Sequence, residues 1–151
     1  LSRHPNIVGI KDSSGNITQI ASIIAKCPKD FAVFAGSGSF LLPTLMLGGV
    51  GGTLAVANVV PNYCVAIYDL CKNGELDRAK KLQLGLLELN AAVTTRYGIG
   101  GMKAAMEMVG FHGGSPRLPI LPATNEAKRE ISDLVNAALK LFHEVCGKNC
   151  L

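Results

Sequence analysis

Lys11 is the residue of this chain best placed to do chemistry. The segment Gly9-Ile10-Lys11-Asp12-Ser13-Ser14-Gly15 sets it directly after an apolar run, residues 7–10. An amine that projects from a strand end into an apolar mouth loses hydration, which disfavours the charged form. A neutral amine is what imine formation on a carbonyl substrate requires. A lysine that merely leaves a sheet for water has the same spacing, so position alone leaves both readings open. A second stretch, Ala35-Gly36-Ser37-Gly38-Ser39, offers backbone N–H groups and hydroxyls that can hold a carboxylate or carbonyl oxygen. It is also an ordinary strand-to-helix turn and fits no phosphate-loop or dinucleotide spacing. Gly48-Gly49-Val50-Gly51-Gly52, followed by Thr53, has the glycine density of a close backbone approach.

Other chemistry-bearing residues have plainer readings. His143, Cys146 and Cys150 match no usual zinc spacing and read as a helix end. Cys64 and Cys71 lie two turns apart on one helix face, as buried fillers. His112 falls in a Gly-rich loop, and Lys80-Lys81 on a solvated helix face.

The elements that must position these residues alternate. Three short apolar runs, residues 7–10, 31–35 and 52–57, read as parallel strands covered on both faces. Between them, Asn16 caps a helix marked by Ile17, Ile20, Ile23 and Ile24, and residues 39–47 form a second helix. Strand, helix, strand, helix, strand is the signature of parallel βαβ units. Beyond Pro61 the pattern is helical: residues 61–72, 75–89 with a bent continuation to 97, 102–109, and a last helix after Thr124. Residues 113–122, with two Gly and three Pro, read as a loop.

The 151 residues carry a net charge of +4, 48% hydrophobic residues, 17 Gly, 7 Pro and 17% charged residues. The charge is too small and scattered for a nucleic-acid surface. The composition excludes a disordered or collagen-like chain. No apolar run reaches the roughly 18 residues of a membrane span. Five cysteines, an odd number without CxxC spacing, point to a reducing compartment. The chain opens at Leu1 without a signal or transit pattern, and the expectation is a processed protein or a piece of a longer one.

Asn6-Ile7-Val8-Gly9-Ile10-Lys11-Asp12-Ser13-Ser14-Gly15 resembles the Schiff-base lysine segment of the dihydrodipicolinate synthase/N-acetylneuraminate lyase family. Phe34-Ala35-Gly36-Ser37-Gly38, the glycines 48–52 leading to Ala57-Asn58-Val59, and Gly74, Ala79 and Leu82 agree with that family in order and spacing. The resemblance implies an α/β fold, the C-terminal part of a (β/α)8 barrel followed by a helical region. Residues 1–60 would hold the last barrel strands and helices, and residues 61–151 the final barrel helix and the appendage. It implies a class I aldolase or lyase of 2-oxo acids such as pyruvate, needing neither metal nor other cofactor and working as a homo-oligomer. Lys11 would form the imine, and Ser13, Gly36 and Thr53 would contact substrate. Segments 90–94, 98–103 and 113–117 most resemble the 4-hydroxy-2-oxoglutarate aldolase branch. That branch yields pyruvate and glyoxylate and implies a mitochondrial location, with the cytoplasm as the alternative. The neuraminate lyases carry an acidic pair where this chain has Gly38 and Ser39, which counts against a sugar-acid lyase. The runner-up is 4-hydroxy-tetrahydrodipicolinate synthase. The carboxylate-binding Ser/Thr pair and relay tyrosine of the family belong to strands before the lysine, and Tyr63, Tyr68 and Tyr97 match neither. The expectation is therefore a chain inactive alone, with a non-catalytic form that binds full-length subunits as a further alternative.

Overall fold

The computed structural model describes residues 1–147. Three parallel strands, β1 (Gly9–Asp12), β2 (Ala32–Ala35) and β3 (Gly51–Gly52), pair in sequence order. Helices α1 (Ile17–Lys26) and α2 (Leu41–Met46) connect them, the latter preceded by a 3-10 turn at Gly38–Phe40. Then follow a 3-10 turn at Ala55–Asn58 and helices α3 (Pro61–Lys72), α4 (Leu76–Ala91), α5 (Gly98–Met108) and α6 (Asn125–Cys146).

The strands differ from expectation in ways with physical causes. β1 runs through Lys11 to Asp12, which pair with Phe34 and Ala35 of β2, so Lys11 lies within the strand and not after it. The charge at Asp12 does not end the strand because its carboxylate is fully supplied with donors, as described below. β3 is two residues long, not six: the chain turns after Gly52, and Asn58 Nδ2 closes the 3-10 turn on Ala55 O at 3.0 Å. β1 is not covered on both faces, since Ile10 within it and Val8 just before it stand 41% and 77% exposed, whereas no residue of β2 is exposed.

Helix ends follow their sequence signals. The Asn16 side chain accepts from Gln19 N at 3.1 Å, and the Thr124 hydroxyl from Ala127 N at 3.2 Å. Pro61 occupies the first turn of α3, and Gly74, at φ +79°, allows the reversal into α4. The bend expected after residue 91 is a π-helical turn, Ala92–Arg96. α5 begins at Gly98, four residues ahead of the expected Met102. Its Gly100 and Gly101 lie too close to the chain at Leu121 and to Tyr97 for a Cβ, so helix-weakening residues are retained for packing. Residues 113–122 form no helix or strand, as expected.

The core lies among the helices. Leu82, Leu86 and Leu89 of α4 meet Tyr63 and Ile67 of α3 and Ile131, Val135 and Phe142 of α6. The Tyr63 and Phe142 rings stack 5.9 Å apart, and the Tyr63 hydroxyl donates to Leu82 O at 2.9 Å. Cys64 is buried, which pushes its thiol up to about 12, while Cys71 is half-buried. Lys80 and Lys81 face solvent, and His112 lies beside Glu107 in a loop.

Candidate active site

The site begins with the turn after β1. Asp12 is buried, and its Oδ1 accepts from Ser14 N at 2.8 Å and Ser14 Oγ at 2.5 Å, while Oδ2 accepts from Gln19 Nε2 at 2.6 Å. The Ser14 hydroxyl, opposed by burial and aided by Gln19, holds the Asp12 carboxyl below its ordinary range. This buried anion fixes the peptide that carries Lys11 and Ser13.

Gly36 follows β2. Its N–H donates to Asp12 O at 2.7 Å, which ties the two strand ends together. A Cβ at Gly36 would overlap Ser13 Oγ and lie 2.6 Å from Asp12 O, so the close approach requires glycine. Thr53 N donates to Ala35 O at 2.8 Å, bringing the end of β3 alongside. Lys11, Ser13, Gly36 and Thr53 therefore gather at the carboxyl ends of three adjacent strands, where α/β folds bind ligands. The Lys11, Ser13 and Thr53 side chains are exposed, so the mouth is open.

Two residues of this region were not read from the sequence as site residues, although Asn90 opens the segment 90–94 noted above. Gln83 and Asn90 of α4 are buried polar side chains that reach the loop after β2. Their signal was available, since both interrupt the apolar face made by Leu82, Leu86 and Leu89. No tyrosine joins the mouth: Tyr63 donates to Leu82 O, Tyr97 to Glu130, and Tyr68 lies under the Lys72 ammonium. Among the described residues no three His, Cys, Asp or Glu side chains converge as a metal site. Cys150 lies outside the described residues. No described helix is long and apolar enough to cross a membrane.

Known proteins are similar to most of this chain. A 4-hydroxy-tetrahydrodipicolinate synthase of Caldicellulosiruptor saccharolyticus is 41% identical over 131 residues, 87% of this chain and 44% of that protein. One from Methanopyrus kandleri is 35% identical over 137 residues, 91% of this chain and 44% of that protein. The solved structure of dihydrodipicolinate synthase DapA-2 from Bacillus anthracis superposes with a TM-score of 0.84 at 31% identity, covering 89% of this chain and 46% of that one. The chain thus spans about half the length of the curated relatives it matches. Its three parallel strands and following helices correspond to about half of a TIM-barrel enzyme, the α/β architecture expected from the sequence. The model of the dihydrodipicolinate synthetase family matches residues 1–138, and the chain belongs to that family.

Proposed function

We propose that the protein is a class I lyase of pyruvate-type 2-oxo acids, with Lys11 as the imine-forming amine and Ser13, Gly36 and Thr53 as substrate contacts. The observation that carries this reading is the convergence of those four residues on three adjacent strand ends. In the synthetic direction Lys11 Nζ adds to the C2 carbonyl of pyruvate and water leaves, giving a protonated imine. Loss of a C3 proton then gives the enamine. C3 attacks the aldehyde carbon, the aldehyde oxygen takes up a proton, and hydrolysis of the imine returns the amine with the product. Cleavage is the reverse sequence.

The names of the relatives favour the synthase, in which the aldehyde is aspartate semialdehyde. The 4-hydroxy-2-oxoglutarate aldolase reading rests on segments 90–94, 98–103 and 113–117, which resemble that branch. On that second reading the protein works in mitochondria, and otherwise in the cytoplasm. On either reading it acts as a homo-oligomer.

Borohydride reduction of the full-length protein with pyruvate, followed by peptide mapping, tests the proposal. A pyruvate-derived mass on Lys11, lost in Lys11→Ala, is the expected result. An adduct that persists in Lys11→Ala overturns it. Coupled assays with aspartate semialdehyde and with 4-hydroxy-2-oxoglutarate then separate the two substrates.

A further inference from the structure

The turn from β1 into α1 is closed by a circuit of side chains. Asp12 Oδ1 accepts from Ser14 N at 2.8 Å and from the Ser14 hydroxyl at 2.5 Å. The Ser14 oxygen accepts from Asn16 N at 3.1 Å, and Asn16 Oδ1 accepts from Gln19 N at 3.1 Å. Gln19 then reaches back, and its Nε2 donates to Asp12 Oδ2 at 2.6 Å. Facing a carboxylate, the amide must present its NH2. Gln19 stands in the first turn of α1 at an exposed position, where a polar side chain ordinarily turns to water. Among the described residues it is the one side chain of α1 that hydrogen-bonds to β1.

Ser13 is held by this circuit without belonging to it. On one side of it the Asp12 carbonyl accepts from Gly36 N at 2.7 Å, and on the other the Ser14 N–H is bonded to the Asp12 carboxylate. Both neighbours being pinned, the Ser13 backbone has little freedom. Its hydroxyl occupies the space that a Cβ at Gly36 would need, and it has no hydrogen-bond partner among the described residues. It is thus left for a ligand, two residues from Lys11. The Asp12 carboxylate is buried and bonded on both oxygens, which fixes its orientation. Without the donor on Oδ2 a buried acceptor stands unpaired, at the cost of its desolvation. The carboxylate then turns toward water, and the Ser14 N–H and the Ser13 peptide move with it.

We infer that Gln19 is a positioning residue that, through the Asp12 carboxylate, holds the Ser13 hydroxyl where pyruvate meets Lys11. This rests on the Schiff-base reading, and it adds to that reading a residue of α1 that touches no substrate. The Gln19 amide acts on how tightly the 2-oxo acid is held and not on the reactivity of the amine.

The test follows the initial rate of borohydride-trapped adduct on Lys11 of the full-length protein over a range of pyruvate concentrations. Gln19→Met, of similar length but without a donor, should raise the half-saturating pyruvate about tenfold, the scale of one lost hydrogen bond to a charged group. The limiting rate should stay within about twofold, as when binding is lost and chemistry is kept. Gln19→Arg, whose guanidinium also donates to a carboxylate, should restore the original half-saturation. Gln19→Glu, which sets a second carboxylate against Asp12, should raise it at least as far as Gln19→Met and serves as the test if Gln19→Met does not fold. On a Ser13→Ala background, itself weakened, Gln19→Met should add nothing, because the two act as one unit. Unchanged half-saturation in Gln19→Met or in Ser13→Ala would overturn the inference, as would failure of Gln19→Arg to restore it. So would equal losses in limiting rate and half-saturation, or a Gln19→Met effect undiminished beside Ser13→Ala, since either makes Gln19 merely structural. Absence of any pyruvate adduct in the unaltered protein would instead remove the Schiff-base reading, and this inference with it.

Discussion

Around α4 and α6, Leu82, Leu86 and Ile131 are wholly excluded from solvent, whereas Val8, just before β1, and Ile10 within it are exposed. The helical side is held by dispersion and apolar burial. The strand mouths are held by polar ties: Asp12 with Ser14 and Gln19, Gly36 N on Asp12 O, and the amides of α4 on residues 37–42. Apolar contacts are non-directional and tolerate small shifts, whereas hydrogen bonds fix orientation. The division gives stability to one region and geometry to the other. α4 takes part in both, with leucines for the first and amides for the second.

Substitutions should reveal that division. Leu86→Ala, deep in the helical core, should lower unfolding free energy by about 3–5 kcal/mol through lost transfer and a cavity. Denaturant titration would measure it, and a loss below about 1 kcal/mol would break the contrast. Gly36→Ala should be milder in stability, about 1–3 kcal/mol from overpacking against Ser13 and the Asp12 carbonyl. It should nonetheless remove the pyruvate adduct on Lys11, because the backbone at the mouth must shift; normal trapping in that variant would detach geometry from the polar ties.

Asp12→Asn, whose amide oxygen can still accept from Ser14 but whose NH2 cannot accept from Gln19, should cost about 1 kcal/mol, the net scale of one hydrogen bond. Its carboxyl is held below the ordinary value of 3.8 in the folded state. The stabilisation is therefore fully present above that ordinary value and is lost as pH falls through the lower, folded one. Hydrogen-exchange protection at Ser14 and Gln19, taken relative to the intrinsic rate at each pH, should fall at acid pH in the unaltered protein and lose that dependence in Asp12→Asn. The smallest change belongs to the open face. Val8→Ser with Ile10→Ser should alter stability by no more than about 0.5 kcal/mol, as surface substitutions do. The same pair should cut the fluorescence of a hydrophobic dye bound by this chain, since exposed apolar area is what such dyes detect.

The helical region was the more legible half. Pro61, Asn73-Gly74 and Thr124 mark helix ends by local chemistry, and α6 shows its apolar face by spacing alone. β1 and β3 were misplaced, while β2 fell within one residue of expectation, because strand limits depend on partners distant in sequence. Asp12 extends β1 only because Ser14 and Gln19 supply its carboxylate, and β3 stops at Gly52 although the apolar run continues to Ala57. The start of α5 was hidden by Gly98, which sits at φ +54°, and by Gly100 and Gly101, whose value lies in tertiary packing that no local propensity reports. At the candidate site, Lys11, Ser13, Gly36 and Thr53 could be picked out as strand-end positions and by resemblance. The contact that makes glycine obligatory at position 36, and the reach of Asn90 across more than fifty residues, arise only when the chain is folded.

Gly38 constrains which mutational histories are open to the site. A Cβ there would lie 2.8 Å from Val56 Cγ1 and 2.9 Å from Asn90 Oδ1. Any lineage, natural or engineered, that adds a side chain at 38 must make room at both 56 and 90, and clearing 90 dismantles the tie to Ser37 and Ser39. Replacing the neutral loop by an acidic one is thus not a walk of independent single steps. The intermediate with an acidic residue at 38 and Asn90 intact is crowded, while the one without Asn90 has already surrendered its former loop. A library that varies positions 38, 56 and 90 together crosses this gap, and one that varies them singly stalls on either side of it.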